Sequence, residues 1–258
     1  TIFLAQARAY DRQFDDPRYR KILDEMQKRG VEIGVHSPSG ARDTPARSRE
    51  LLGAFAAAYR GRSWIDHQPY TNCEALSMEG LSRKSPWYIL GELARAGFRH
   101  VWVVPDVPLR RGSLNMLEGR SGRAHRPVVY PHGRLTHNKA SLVGFRSAML
   151  FEPRRRLLAR FSPKALARLV AQRGLLVGHV YLDSHRPRGS FANKSLLSRR
   201  ADGRYVLRPE VDALFARFAR LQAERKLWVI GVEALARHLL AIKELEVEHL
   251  KSGTLRLR

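Results

Sequence analysis

Short apolar runs alternate with longer amphipathic stretches along most of this chain. The apolar runs have strand length, and the longer stretches carry apolar residues at helical spacing. Several of the longer stretches begin with Asp, Ser or Thr before Pro and end at Gly, as helices do. The pattern predicts strands over 1–5, 31–36, 63–67, 98–106, 175–183 and 227–232. It predicts helices over 15–30, 43–61, 85–97, 162–174, 209–226 and 233–244, and a terminal hairpin over 245–258.

This order of elements predicts an α/β protein with a parallel sheet and helical crossovers. About five strand–helix units are visible, so we expect an incomplete or distorted (β/α) barrel. No glycine-rich phosphate loop follows any strand. The alternation stops over about 107–150, which we interpret as an insertion within a single domain spanning 1–258. A second irregular stretch, 184–207, reads as a basic loop.

Composition narrows the class of protein. A chain of 258 residues can bury a sizeable core, and no run approaches the roughly 18 apolar residues of a membrane span. The single cysteine, Cys73, excludes an internal disulfide framework and a cysteine-rich zinc site. Oligomeric state and compartment stay open.

The chain is strongly basic, with a net charge of +23 carried mostly by arginine. Such a surface attracts polyanions: nucleic acid, anionic lipid or an acidic polysaccharide. The alternative is an arginine-rich composition spread over every exposed face. Because the aromatic residues fall mostly within apolar strands and helices, nucleic acid is the partner that we favour least.

Polar side chains come at the ends of four predicted strands, which is where parallel α/β proteins place reactive groups. They are His36, Asp66 with His67, Asp106, and His179. Imidazoles and carboxylates that converge at one sheet edge can bind a divalent metal and carry out acid–base chemistry.

Each of these residues also has a structural interpretation. A histidine at a strand end, such as His36, can be a hydrogen-bonded rim residue, and Asp106 can form a turn before Pro108. His132 and His137, in the insertion, are further ligand candidates.

Other polar residues are assigned structural roles. His100, inside a strand, and His238 and His249, inside the later patterns, are interpreted as structural. Asp15 and Asp16, which precede Pro17, are interpreted as helix caps.

Several segments carry a family resemblance in chain order. They are "TIFLA", "RGVEIGVHSPSG", "ELARAGFRHVWVVPD", "RGLLVGHVYLD" and "FARFARLQAERKLWVIGVEALARHL". Together they resemble the NodB-type polysaccharide deacetylases of carbohydrate esterase family four, whose "GHEIGNHSxSH" segment binds a metal through its first histidine. The resemblance implies a distorted barrel of the NodB type, His36 as a metal ligand, and His179 as the residue that protonates the leaving group.

The chain departs from the family pattern at three places. The family's "TFDD" strand is expected ahead of residue 1, Gly40 stands where the second metal-binding histidine belongs, and "WIDHQPYTNCEALS" stands near the expected arginine–proline motif. Our hypothesis is that Asp66 and His67 replace the lost ligand.

The implied chemistry is metal-assisted removal of acetyl groups from a polysaccharide. We expect the substrate to be an envelope or capsule polymer. A divalent metal, expected to be zinc, would activate water. Asp66 or another carboxylate would accept its proton, and Asp106 would orient His179. The alternatives are a glycoside hydrolase or lyase using Asp66 and Asp106, and a degenerate domain that binds a glycan without catalysis.

Overall fold

A computed structural model describes most of the chain. The described residues are 2–5, 16–37, 45–65, 80, 82–102, 107–118, 128–137, 140–150, 154–180, 196–244, 247–249 and 255–257. The chain divides into two compact units. Unit 1 comprises Thr1–Val104, Val129–Phe145 and Ile230–Arg258, and unit 2 comprises Pro105–Val128 and Arg146–Val229.

Unit 1 contains a six-stranded sheet with helices between its strands. Its elements are β1 Ile2–Ala5, α1 Pro17–Lys28, β2 Ile33–Ser37, α2 Pro45–Ala58, β3 Ser63–Ile65, α3 Leu90–Arg95, β4 His100–Trp102, β5 Val129–His137 and β6 Ala140–Phe145. The strand order is β1-β2-β3-β4-β6-β5. All neighbouring pairs are parallel except the antiparallel pair of β5 and β6. The protein is therefore a mixed α/β protein built on a parallel sheet, as predicted.

The helices α1, α2 and α3 share one apolar core with one face of this sheet. Each helix contributes buried side chains to it, among them Leu23 from α1, Phe55 from α2 and Leu93 from α3. The strands contribute alternate residues, such as Val35, Trp64 and Val101. Phe98 stacks against Phe55 and meets Trp64 edge-on, with ring centroids 6.1 and 6.2 Å apart. The three crossover helices thus pack on the same side of the sheet.

A second core of unit 1 is formed by the intervening strand residues. Ile65, Trp102 and Phe145 pack there with Ala236, which is fully buried. Ala236 belongs to α7, Val232–Glu244, which is followed by the antiparallel pair β11 Val247–His249 and β12 Leu255–Leu257. The predicted terminal hairpin is confirmed.

The described part of unit 2 contains three α-helices and two two-stranded sheets. Its elements are β7 Ala148–Met149, α4 Arg154–Arg160, α5 Pro163–Ala171, β8 Gly178–His179, β9 Leu197–Arg199, β10 Tyr205–Leu207 and α6 Pro209–Ala223, together with a 3₁₀ turn at Met116–Glu118. Its main core joins α4, α5 and α6 through residues such as Leu157, Leu166 and Leu214. β7 pairs with β8 in parallel, and β9 pairs with β10 antiparallel.

Helix ends follow the predicted capping residues. Asp16 Oδ1 accepts a hydrogen bond from the Tyr19 amide at 3.4 Å, ahead of Pro17, and so caps α1 as expected. Ser162 caps α5 by accepting from the Ala165 amide at 3.3 Å. At the other end of α1, Gly30 has φ +80°, a conformation that favours glycine. The side chain of Asp15 lies outside the described residues.

Four sequence expectations differ from the observed elements. The strand predicted over 227–232 is wrong: the chain there has no regular structure until α7 begins at Val232. The backbone instead returns to the end of α6, where Leu221 O accepts from the Lys226 amide and Gln222 Oε1 from the Val229 amide. The predicted helix over 85–97 is shorter, because α3 begins only at Leu90.

The third difference concerns the range 107–150, which the sequence predicts to be one insertion and which is divided between unit 1 and unit 2. Val129–Phe145 supplies two strands of the unit 1 sheet, whereas Pro105–Val128 and Arg146 onward belong to unit 2. Strand β6 pairs directly with β4, and its Leu142 is buried in the first core. In the predicted basic loop over 184–207, β9 and β10 form a hairpin.

Among the helices that the structure describes, none has the length and apolar character needed to cross a membrane.

Candidate functional site

His36 lies at the carboxyl end of a central strand of the unit 1 sheet. In β2, Ile33 and Val35 are buried in the first core. The pairing with β1 joins Leu4 to Val35 and Ala5 to Ser37, so His36 lies at an irregularity of the strand. Its side chain is half-buried, with Nδ1 away from the surface. The strand thus holds an imidazole at the sheet edge where parallel α/β proteins place their reactive groups.

The register of the sheet sets which residues neighbour His36. Val35 pairs with Trp64, and His36 and Ile65 are the next residues of β2 and β3. Asp66 and His67 come next in the chain after Ile65, and both lie outside the described residues. The predicted neighbourhood of His36 and the Asp66–His67 pair is consistent with this register but is not tested by it.

Asp106 also lies outside the described residues, four positions after the end of β4 at Trp102. Its predicted role therefore stays a prediction.

His179 is on β8 of unit 2, where Met149 is its partner on β7. The sequence pattern predicts His179 on a strand of the same sheet as His36, whereas in the described part of the chain β8 pairs with β7 in a separate two-stranded sheet. Its backbone oxygen accepts from the Leu150 amide at 2.8 Å, and its side chain is half-buried. The two short strands hold this histidine within unit 2.

The donor types predicted for a metal suit zinc, which binds imidazole nitrogen and carboxylate oxygen. Of the three predicted ligands, only His36 is among the described residues. In that part of the chain, no group of three His, Cys, Asp or Glu side chains is arranged to hold a metal. A complete site built on His36 would need ligands from outside the described residues, and our hypothesis assigns that role to Asp66 and His67. His132 and His137 lie on β5, but their side chains are outside the described set.

A polar cluster that the sequence did not indicate lies at the opposite, amino-terminal end of the sheet. Glu32 precedes β2, and its Oε1 accepts from Ser63 Oγ at 2.9 Å. Its Oε2 accepts from the Glu233 amide, in the first turn of α7, also at 2.9 Å. We call Glu32, Ser63, His100 and Glu233 the amino-end cluster. The Glu32 carboxylate joins two strands to a helix that lies 201 residues away in sequence.

Burial shifts the ionisation of two members of the amino-end cluster. Burial raises the pKa of Glu233, and the nearby Glu32 carboxylate raises it further. Burial also lowers the pKa of His100, against the opposing effect of Glu32. His100 is 5 % exposed, and its Nδ1 has no hydrogen-bond partner in the described part of the chain. The predicted position of His100 in a strand is confirmed, since it is the first residue of β4, and its structural role stays a prediction.

No local pattern could have revealed the amino-end cluster. Glu32 reads as the first polar residue of a strand and Glu233 as an ordinary acidic residue in a first helical turn. Only the packing of α7 on the sheet brings them together. Because the cluster lies at the amino ends of the strands, we interpret it as holding the fold.

Unit 2 has a polar cluster of its own around the 3₁₀ turn. Glu118 Oε1 accepts from Arg168 Nη2 at 2.6 Å and from Gln172 Nε2, both on the α5 side. Hydrogen bonds from Ser113, Gln172 and Arg168 lower the pKa of Glu118 to about 2. Asn115 Oδ1 adds bonds from the Leu117 and Leu175 amides. These contacts tie the turn to α5 and to the chain that follows it.

Comparison with known proteins gives no further assignment. No protein-family model, no curated protein and no solved structure matches this chain.

Proposed function

We propose that this chain is a metal-dependent hydrolase that removes acetyl groups from a polysaccharide, on a distorted barrel of the NodB deacetylase type. The observation that carries the proposal is the position of His36 at the carboxyl end of β2, next to Val35, whose partner Trp64 on β3 lies two residues before Asp66. In a parallel α/β sheet, that edge is where catalytic side chains collect.

The sheet topology supports the barrel type. The strands β1 to β4 are adjacent in chain order, and the helices between them all pack on the same face. A doubly wound sheet reverses its strand order and has crossover helices on both faces, whereas successive units of a (β/α) barrel keep one direction and one face. From β1 to β4 the strand order and the side of the crossover helices agree with the barrel pattern, whereas α7 packs on Ile65 and Trp102 at the other face.

The proposed metal ligands are His36, Asp66 and His67. When bound, a zinc ion would supply Lewis-acid activation of the acetyl carbonyl and of water. The reaction adds water across the acyl bond, releases acetate, and returns one proton to the sugar oxygen or nitrogen. His36 and His67 must be neutral to bind the metal, so activity should fall at low pH as these imidazoles take up protons. The roles of Asp106 and His179 remain predictions from the sequence.

Acetate release tests the proposal directly. We expect the protein to release acetate from an acetylated polysaccharide, and we expect a chelator to abolish the release and added zinc to restore it. His67→Ala should lower the rate by about a hundredfold, because loss of even a residue that supports a metal ligand costs about ten- to a hundredfold. His238→Ala, which changes an exposed histidine of α7, is the matched control and should leave the rate unchanged.

Other outcomes distinguish the alternative functions. New reducing ends without acetate, resistant to chelator, would replace the proposal with a glycoside hydrolase that uses two carboxylates. Saturable binding of the glycan without either product would identify a non-catalytic binding domain.

A further inference from the structure

The β9–β10 hairpin of unit 2, residues 197–207, carries exposed arginines and an exposed aromatic ring. Its three register pairs join Tyr205 to Arg199, Val206 to Ser198 and Leu207 to Leu197. Tyr205 is 50 % exposed, and the arginines at 199, 200 and 204 are exposed as well.

The hairpin is anchored at its base and closed at its turn. Leu196 is buried in the main core of unit 2, and Leu207 packs against that core. The Arg208 amide donates to Leu196 O at 3.0 Å at the base. At the turn, the Arg200 amide donates to Arg204 O at 2.8 Å, and Gly203 has φ +81°. Side chains at the tip are therefore held on a fixed backbone, which lowers the entropy cost of binding a ligand.

The charge of the hairpin is positive and only partly neutralised. Residues 197–207 contain three arginines and one acid, Asp202. Asp202 Oδ2 is 3.1 Å from Arg204 Nε and 3.8 Å from Arg200 Nε, so one carboxylate serves both arginines. In the described part of the chain, Arg199 has no acidic partner. It lies directly opposite Tyr205 on the neighbouring strand.

We infer that the β9–β10 hairpin binds an acidic polysaccharide through Arg199 and Tyr205. A guanidinium can hold a carboxylate by two parallel hydrogen bonds, and the flat apolar ring of tyrosine suits the face of a sugar ring. A uronic acid polymer offers both groups in each repeat. The polysaccharide class rests on the proposed function, whereas the anionic character of the ligand rests on the hairpin itself.

A single aromatic ring distinguishes this surface from a binding site for single-stranded nucleic acid. Such sites stack successive bases on several aromatic side chains along a basic groove. Within 197–207, Tyr205 is the one aromatic residue, next to one arginine that has no acidic partner. This composition favours a polysaccharide with repeating carboxylates over single-stranded nucleic acid as the ligand.

The test measures binding of polygalacturonate, a polymer that carries no acetyl groups, by calorimetry with the full chain at physiological salt. Arg199→Gln and Tyr205→Ala should each weaken binding about five- to tenfold, the usual cost of truncating an anchoring side chain at an interface. Arg110→Gln and Trp228→Ala remove an exposed arginine and an exposed aromatic residue elsewhere in unit 2 and serve as matched controls. Thermal unfolding of every variant checks that the fold is retained.

The inference predicts binding that the two hairpin variants weaken and the two controls retain, with Arg199→Lys intermediate. It is overturned if the double variant Arg199→Gln/Tyr205→Ala binds within about twofold of the parent. Tighter binding of single-stranded DNA than of polygalacturonate, lost in the same variants, would also overturn it and would identify nucleic acid instead. Because the probe has no acetyl group, its binding is independent of acetate release, so each proposal can fail without the other.

Discussion

Among the described glycines, Gly61 is the one with least room for a side chain. A Cβ atom at Gly61 would lie 1.8 Å from Ile33 O and 2.8 Å from Ile33 C, both of them backbone atoms of β2. The chain between α2 and β3 therefore passes directly against the second strand, which only glycine permits. Arg62 reinforces this passage, because its guanidinium donates to Gly61 O at 2.9 Å and Ala56 O at 3.0 Å.

We expect Gly61→Ala to lower the free energy of unfolding by about 2–4 kcal/mol, since backbone must move to admit the methyl group. Gly53→Ala is the matched control. Gly53 lies exposed in α2, with nothing within 4 Å of a Cβ, so this change should stabilise the helix by about 0.5–1 kcal/mol. Urea unfolding of the two variants measures the difference, and equal effects would contradict the account of Gly61.

His100 makes a second prediction at the residue scale. Burial lowers its pKa below the ordinary value of 6.5, so the unfolded chain takes up a proton more readily than the folded chain. Its contribution to stability is therefore present above the unfolded pKa and is lost as pH falls below it.

His100→Gln should flatten the fall of unfolding free energy between about pH 7 and pH 5, by at most about 1.4 kcal/mol per pH unit. His238→Gln, which changes an exposed histidine of α7, is the matched control with which the profile of His100→Gln is compared. Chemical denaturation at several pH values provides the measurement. A parental slope in His100→Gln would show that this imidazole does not oppose protonation in the folded state.

At the scale of elements, the Glu32 carboxylate is the contact that fixes the start of α7 to the sheet. It accepts from Ser63 Oγ and from the Glu233 amide, so it satisfies a donor at the positive end of the helix. Its position resembles that of a helix cap supplied from another part of the chain.

Glu32→Gln should destabilise the protein by about 1–2 kcal/mol, because the charge that faces the helix end is lost and one of the two bonds weakens. Hydrogen exchange of the α7 amides should accelerate more than that of the α5 amides, which are in unit 2. The control Glu25→Gln removes an equal charge from an exposed position of α1 and should change the free energy of unfolding much less. Unchanged exchange in α7 would remove the capping role.

The elements differ in how well the sequence predicts them, for physical reasons. α1 and α5 are found where caps and apolar spacing predict them, because Asp16 and Ser162 act locally. The apolar run at 227–232 resembles a strand, yet Trp228 is 58 % exposed and the chain turns back on α6. A local sequence pattern indicates an apolar segment. It does not indicate whether a neighbouring strand is present to form hydrogen bonds with that segment.

At the scale of the whole molecule, the sequence predicts the class but not the division of the chain. Unit 1 is assembled from three separate segments, and β6 joins the sheet beside β4 although the intervening chain belongs to unit 2. Such long-range pairing leaves no periodic signal in the sequence. The sequence pattern therefore predicts an insertion where β6 lies. The strand-end position of His36 is predicted correctly, because alternation and strand order suffice to define it.

The central claim is that His36 helps to bind a catalytic zinc ion, and zinc stoichiometry tests it most directly. After dialysis against zinc and then against metal-free buffer, the parent and His238→Ala should each retain about one zinc ion per chain, measured by mass spectrometry of the metal. His36→Ala should retain only a small fraction of this. Retention of zinc by His36→Ala at the parental level, or no retained zinc, nickel or cobalt in the parent, would contradict the account.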